Sequence, residues 1–112
     1  MSDADLMRVS EMIDATDKIS TYVDGMAEGA FIAGGLAADA VCMNLLVIGE
    51  SAVNLSPQAK GLAPDTPCAD LAGLRHRIAH GYAKIDLRIV WRIVQADLPV
   101  LRRQLARLKD RL

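Results

Sequence analysis

The chain has few aromatic residues, few cysteines and little net charge, and each shortage excludes something. Aromatics make up 4% of the 112 residues, so any core must be aliphatic, built from Leu, Ala, Val, Ile and Met. The two cysteines, Cys42 and Cys68, sit in unlike contexts and form no CxxC pair. That excludes a disulfide framework and points to a reducing, cytoplasmic setting. No basic region precedes an apolar run at the N-terminus, so a secretory signal is not expected. The patterns G-x-S-x-G, G-x-x-x-x-G-K-[ST] and G-x-G-x-x-G are missing, which removes the hydrolase-elbow and nucleotide-loop readings. A net charge of −1 assigns no partner in bulk. No segment alternates with period two over a useful length, leaving nothing to build a sheet from.

What is present is 52% apolar and 24% charged, the balance of one globular domain spanning residues 1–112. The apolar stretch 29–49 carries Asp39 near its centre. A central Asp costs about 2.5–3.5 kcal/mol on insertion scales, and the surrounding Ala and Gly return little. A buried helix is the better reading, and no membrane association is expected.

Apolar spacing outlines four long helices. The first runs from about Asp3 to Gly25 with the stripe Leu6, Val9, Ile13, Ile19, Val23 and Met26, and Ser2 with Asp5 resembles a capping pair. A short turn near Glu28–Ala33 carries Phe31 and is weakened by Gly34-Gly35. The second long helix covers about Leu36–Leu55. Val41, Leu45, Ile48 and Ala52 form one face, widened by Ala38, Met43 and Leu46, which suits a central position or a dimer interface. Ser56–Pro67, holding three of the four prolines, reads as a loop. The third helix, about Ala69–His80, uses Leu71, Leu74 and Ile78, with Gly81 where a cap belongs. The fourth starts at Asp86 and carries Ile89, Val90, Ile93, Val94, Leu98, Leu101, Leu105 and Leu108, with a kink expected at Pro99. The fold class is all-α.

Charge is divided unevenly. Residues 1–70 hold three basic and eleven acidic side chains, residues 71–112 ten basic and three acidic. Either the basic half contacts nucleic acid or helices of opposite sign attract one another.

The densest polar cluster is Arg75-His76-Arg77-Ile78-Ala79-His80-Gly81-Tyr82, which contains R-x4-H-x-Y and both histidines of the chain. Such a trio suits phosphodiester chemistry. A guanidinium offers a planar fork of donors to phosphate oxygens, and an imidazole can take a proton from a ribose 2′-hydroxyl or give one to a leaving oxygen. Five residues of uninterrupted helix turn through roughly 500°, leaving Arg75 and His80 roughly 140° apart. They converge only if the helix unwinds near Gly81 or a second subunit completes the site. The same residues also have a structural reading: His80 complementing the helix dipole, Arg75 and Arg77 as surface charges, Tyr82 as a loop anchor. His76 and His80 have the i, i+4 spacing of metal ligands, but Arg77 stands where a zincin needs Glu, so no metal is expected. Asn44 and Glu50, polar residues on the apolar second helix, read either as a hydrogen-bonded core pair or solvent-facing residues, or as groups that orient Arg75 or a bound ligand.

On these residues the chain resembles the HepT-like branch of the HEPN superfamily. The second helix carries Asp39-Ala40-Val41, Asn44-Leu45 and Ile48-Gly49-Glu50-Ser51, similar to the family's D-A-V-x-x-N-L-x-x-I-G-E-A. The proline-bearing loop, Leu74-Arg75, the R-x4-H-x-Y trio and the stretch Asp86-Leu87 to Leu101 follow in family order. His76 stands where the family usually has Asn or another small polar residue, Cys68 where Trp is common, and Ser51 replaces Ala. The resemblance implies an up-and-down four-helix-type domain with an additional short helix, assembled as a homodimer whose motifs meet in a cleft. It implies a metal-independent endoribonuclease toxin that needs no cofactor. Arg75 and His80 would be catalytic, with His76, Arg77, Asn44 and Glu50 in possible supporting places. Tyr82 would contact RNA and be the residue to which an MNT-type nucleotidyltransferase antitoxin attaches AMP. The alternative is a non-catalytic module that binds such a partner or a nucleotide.

Overall fold

Aliphatic residues recurring every three to four positions fold into helices whose apolar stripes meet in one core. The computed structural model describes residues 3–112, so the Ser2 half of the expected capping pair lies outside the described residues. α1 (Asp3–Val23) buries Val9, Met12, Ile13, Ala15, Ile19 and Val23. Leu6, expected on that stripe, faces outward. Asp5 turns inward in its place, where its carboxylate accepts bonds from the Ser56 backbone N–H at 2.9 Å and the Ser56 hydroxyl at 2.6 Å. A buried carboxylate persists because it is hydrogen-bonded in this way.

α2 (Glu28–Ile32) is a single turn that sets Phe31 against Trp91, with ring centroids 5.2 Å apart. This tilted pair supplies most of what little aromatic packing the chain has. Gly34 and Gly35 follow with φ of 85° and 103°, a region that side chains rarely adopt, and the chain reverses there.

α3 (Leu36–Asn54) lies between α1 and α5, the central position its apolar girth suggested. Val41, Leu45, Ile48 and Ala52 point into the core. Met43 does not widen that face: two residues beyond Val41, it lies roughly 200° around the helix and is 60% exposed. By length and composition alone α3 could cross a membrane, yet one side of it forms the centre of this core.

Within the stretch expected as loop, α4 (Pro57–Leu62) forms a short helix. Ser56 Oγ accepts the Ala59 N–H at 3.1 Å, and Pro57 opens the first turn, where its missing N–H costs nothing. α5 (Cys68–Gly81) buries Leu71, Leu74 and Ile78. It meets α3 so closely that a Cβ at Gly49 would lie 2.7 Å from the Leu71 carbonyl oxygen and collide with the Arg75 side chain.

Gly81 ends α5 without a left-handed cap, at φ −155°, and a single 3₁₀ turn (Tyr82–Lys84) leads on. α6 (Leu87–Arg92) is capped by Asp86, whose Oδ1 accepts the Arg88 N–H at 3.0 Å. It widens into a π-helical turn at Ile93–Asp97 before α7 (Leu98–Arg111). That turn takes the place of the kink expected at Pro99, whose ring crowds the preceding turn and lacks an N–H. Val90, Val94, Leu98, Leu101, Leu105 and Leu108 are buried, whereas Ile89 points outward.

The result is an all-α bundle with no strand among the described residues. Its acidic and basic halves are tied across the fold. Arg102 grips Asp17 at 2.9 Å, Arg107 reaches Asp65 at 4.0 Å, and Arg111 donates to the Leu62 carbonyl at 2.6 Å.

Candidate active site

Arg75 and His80 share α5, but the helix runs unbroken between them and its pitch sends them to different flanks. Arg75, half-buried, leans toward α3, where its guanidinium pairs with Glu50 at 2.8 Å. His80 is exposed and lies against His76, one turn earlier, with ring centroids 4.5 Å apart. Both histidines line a shallow hollow of about 350 Å³ together with Arg77, Gly81, Lys84 and Ile85. Arg75 is not part of that lining. Within one protomer the two motif residues therefore belong to separate surfaces.

Arg77 and Lys84 are the charged residues of this lining, and Arg77 also borders a neighbouring hollow that holds Asp65, Asp70 and Asp97. No carboxylate lines the hollow of the two histidines, and among the described residues neither Arg77 nor Lys84 has an ion-pair partner. Cations left unpaired beside two imidazoles form an anion-attracting surface. Lys84 escaped the sequence reading because it lies two residues beyond the motif. Only the 3₁₀ turn after Gly81 brings it back beside His80.

Tyr82 folds the other way. Its hydroxyl donates to Asp39 Oδ1 in the first turn of α3, and this bond, ahead of burial and the nearby Cys42, pushes the phenol up to about 12. The phenol keeps its proton at neutral pH, with a carboxylate already placed to receive it. Asp39 belonged to the sequence pattern of the second helix, but nothing in its spacing to Tyr82 announced the contact.

Of the two polar residues singled out on α3, Glu50 holds Arg75 and also accepts from Asn54 Nδ2 at 3.3 Å. Asn44 bonds locally, its Nδ2 donating to the Ala40 carbonyl at 2.9 Å. The cysteines offer no nucleophile. Burial pushes the Cys42 thiol up to about 11 and raises Cys68 against the opposing pull of Lys60, and both are unbridged. Among the described residues no three His, Cys, Asp or Glu side chains converge on a metal position. The chemistry on offer is phosphate binding by guanidinium and ammonium groups with proton transfer by imidazole.

Comparison with known proteins gives a consistent picture. The family model described as ribonuclease HepT-like matches residues 12–108. A protein of Thermococcus cleftensis named "Probable ribonuclease HepT" is 33% identical over 70 residues, covering 62% of this chain and 64% of that protein. A Methanocaldococcus jannaschii protein named a "Gamma-glutamylcyclotransferase and putative RNase" is 23% identical, covering 93% of this chain and 47% of its own length. A second protein of that organism, named "Putative RNase", is 23% identical over 84% of this chain and 86% of its own length. The chain thus spans less than two thirds of the first two relatives. No solved structure matches it.

Proposed function

The chain belongs to the HepT-like ribonuclease family, and from that membership we propose that it is an endoribonuclease toxin of a type VII toxin–antitoxin pair, acting in the cytoplasm. The observation that carries the reading is the basic hollow at the end of α5, where both histidines of the chain stand exposed beside cations with no acidic partner. RNA supplies the phosphates such a surface attracts, and imidazole supplies the proton transfers that its cleavage needs. No step requires a metal or cofactor.

In this reading Arg75 binds the scissile phosphate in a homodimer. Support comes from the outer face of α3, where Leu36, Met43 and Val47 are exposed along the line that ends at Glu50 and its partner Arg75. An apolar stripe of that kind marks an interaction surface. Pairing two such stripes would bring the Arg75 flank of each protomer toward its partner. Tyr82 is the point of control. An MNT-type nucleotidyltransferase would attach AMP to its oxygen, and Asp39 already accepts that oxygen's proton. The added charge and bulk would repel an RNA phosphate.

The test is RNA cleavage in EDTA by the purified protein and by Arg75→Ala and His80→Ala. Cleavage by the wild type, lowered by about 10²–10⁴ in the His80 variant and comparably impaired without Arg75, supports the enzyme. Full activity of both variants rejects the site, and RNA binding without cleavage by the wild type makes the chain a binding module. Intact mass after incubation with the antitoxin and ATP should show added AMP, lost in Tyr82→Phe.

A further inference from the structure

Cleavage at a ribose 2′-hydroxyl needs two proton transfers, one from the attacking oxygen and one to the leaving oxygen. A single imidazole can perform only one of them at a time. The chain has two histidines, and the fold sets them side by side. His76 and His80 occupy successive turns of α5 with ring centroids 4.5 Å apart. Both rings are exposed and line the same hollow. The charged groups facing them there are Arg77 and Lys84, with no carboxylate to hold either ring in a fixed ion pair.

We propose that His76 is the second proton-transfer group of the reaction, acting with His80 on the scissile phosphate, with Arg77 and Lys84 beside the two rings. The inference rests on the ribonuclease reading above. One imidazole takes the proton of the 2′-hydroxyl as its oxygen bonds to phosphorus. The bond from phosphorus to the 5′-oxygen breaks, and that oxygen takes the proton of the other, protonated ring. The products are a 2′,3′-cyclic phosphate and a 5′-hydroxyl, and the two rings have exchanged protonation states. Because they are neighbours, one water can return the proton and reset the pair.

The experiment compares the wild type with His76→Asn, an exposed substitution whose folding is checked by circular dichroism, on an RNA oligonucleotide across pH. The wild-type kcat/KM is expected to be bell-shaped. His76→Asn is expected to lose about 10²–10⁴ in kcat, with little change in KM, and to keep only one limb of the bell. An oligonucleotide whose 5′-leaving atom is sulfur departs without protonation. Recovery of rate on it by His76→Asn makes His76 the acid, and recovery by His80→Ala instead makes His76 the base. A His76→Asn variant as fast as the wild type, or slower with both limbs intact, overturns the inference and leaves the ribonuclease reading standing. A wild type that binds RNA without cutting it overturns both.

Discussion

The two flanks of α5 show how differently one helix can use its polar residues. On the α3 side the seam is closed. Gly49 leaves no room for a side chain, Arg75 is held by Glu50, and just past the helix Tyr82 is held by Asp39. On the opposite side the surface is open, and His76, Arg77, His80 and Lys84 stand around a hollow without an acid among them. Elsewhere part of the basic half is tied internally, as where Arg102 grips Asp17. The same helix thus uses Arg75 to join α3 through a carboxylate and leaves Arg77 without an ion pair on the open side.

The largest expected effect lies on the closed flank. Gly49→Ala should destabilise the fold by about 1–3 kcal/mol, the usual cost of forcing atoms into a packed seam, read from urea unfolding at unchanged slope. A variant as stable as the wild type would show that the seam can part. On the open flank, Arg77→Ala with Lys84→Ala should leave unfolding unchanged while weakening RNA binding. The dependence of log affinity on log salt should flatten by about 2, one unit for each phosphate that is no longer neutralised. An unchanged slope would move the RNA to another face.

The Tyr82–Asp39 bond offers a pH test of the closed side. A phenol raised from 10.0 to about 12 adds stability that is fully present below pH 10. It is lost as pH climbs through 12, because only the protonated phenol donates to the carboxylate. In a Tyr22→Phe background the absorbance titration should place Tyr82 near 12, and Asp39→Asn should bring it back toward 10.0. The smallest effect belongs to Glu50→Gln. Both partners of its pair with Arg75 are partly exposed, so stability should change by less than about 1 kcal/mol. A larger loss would make the pair a structural clamp.

Much of this fold was legible in the residues. The periodicity of Val41, Leu45, Ile48 and Ala52 located the buried face of α3, and Leu71, Leu74 and Ile78 that of α5, because a helix repeats every 3.6 residues wherever it packs. Met43 was misplaced because its apolar character outweighed its spacing from Val41, and Leu6 and Ile89 because apolar character does not say which side of a helix is covered. The helix inside the proline-bearing loop was missed because the count of prolines outweighed Ser56-Pro57, a sound helix start. At the site, the chain displayed the R-x4-H-x-Y trio and the angular gap between its first two members, but not what each would touch.

Local spacing therefore determined that the chain is helical, which stripes are apolar and that Arg75 and His80 leave α5 in different directions, since those properties depend on neighbours a few residues apart. The tertiary structure alone decided that Glu50 takes Arg75, that Asp39 takes Tyr82 across 43 positions, and that Lys84 joins the two imidazoles. These are meetings between separate elements, and their partners are chosen by how the helices pack rather than by any interval along the chain.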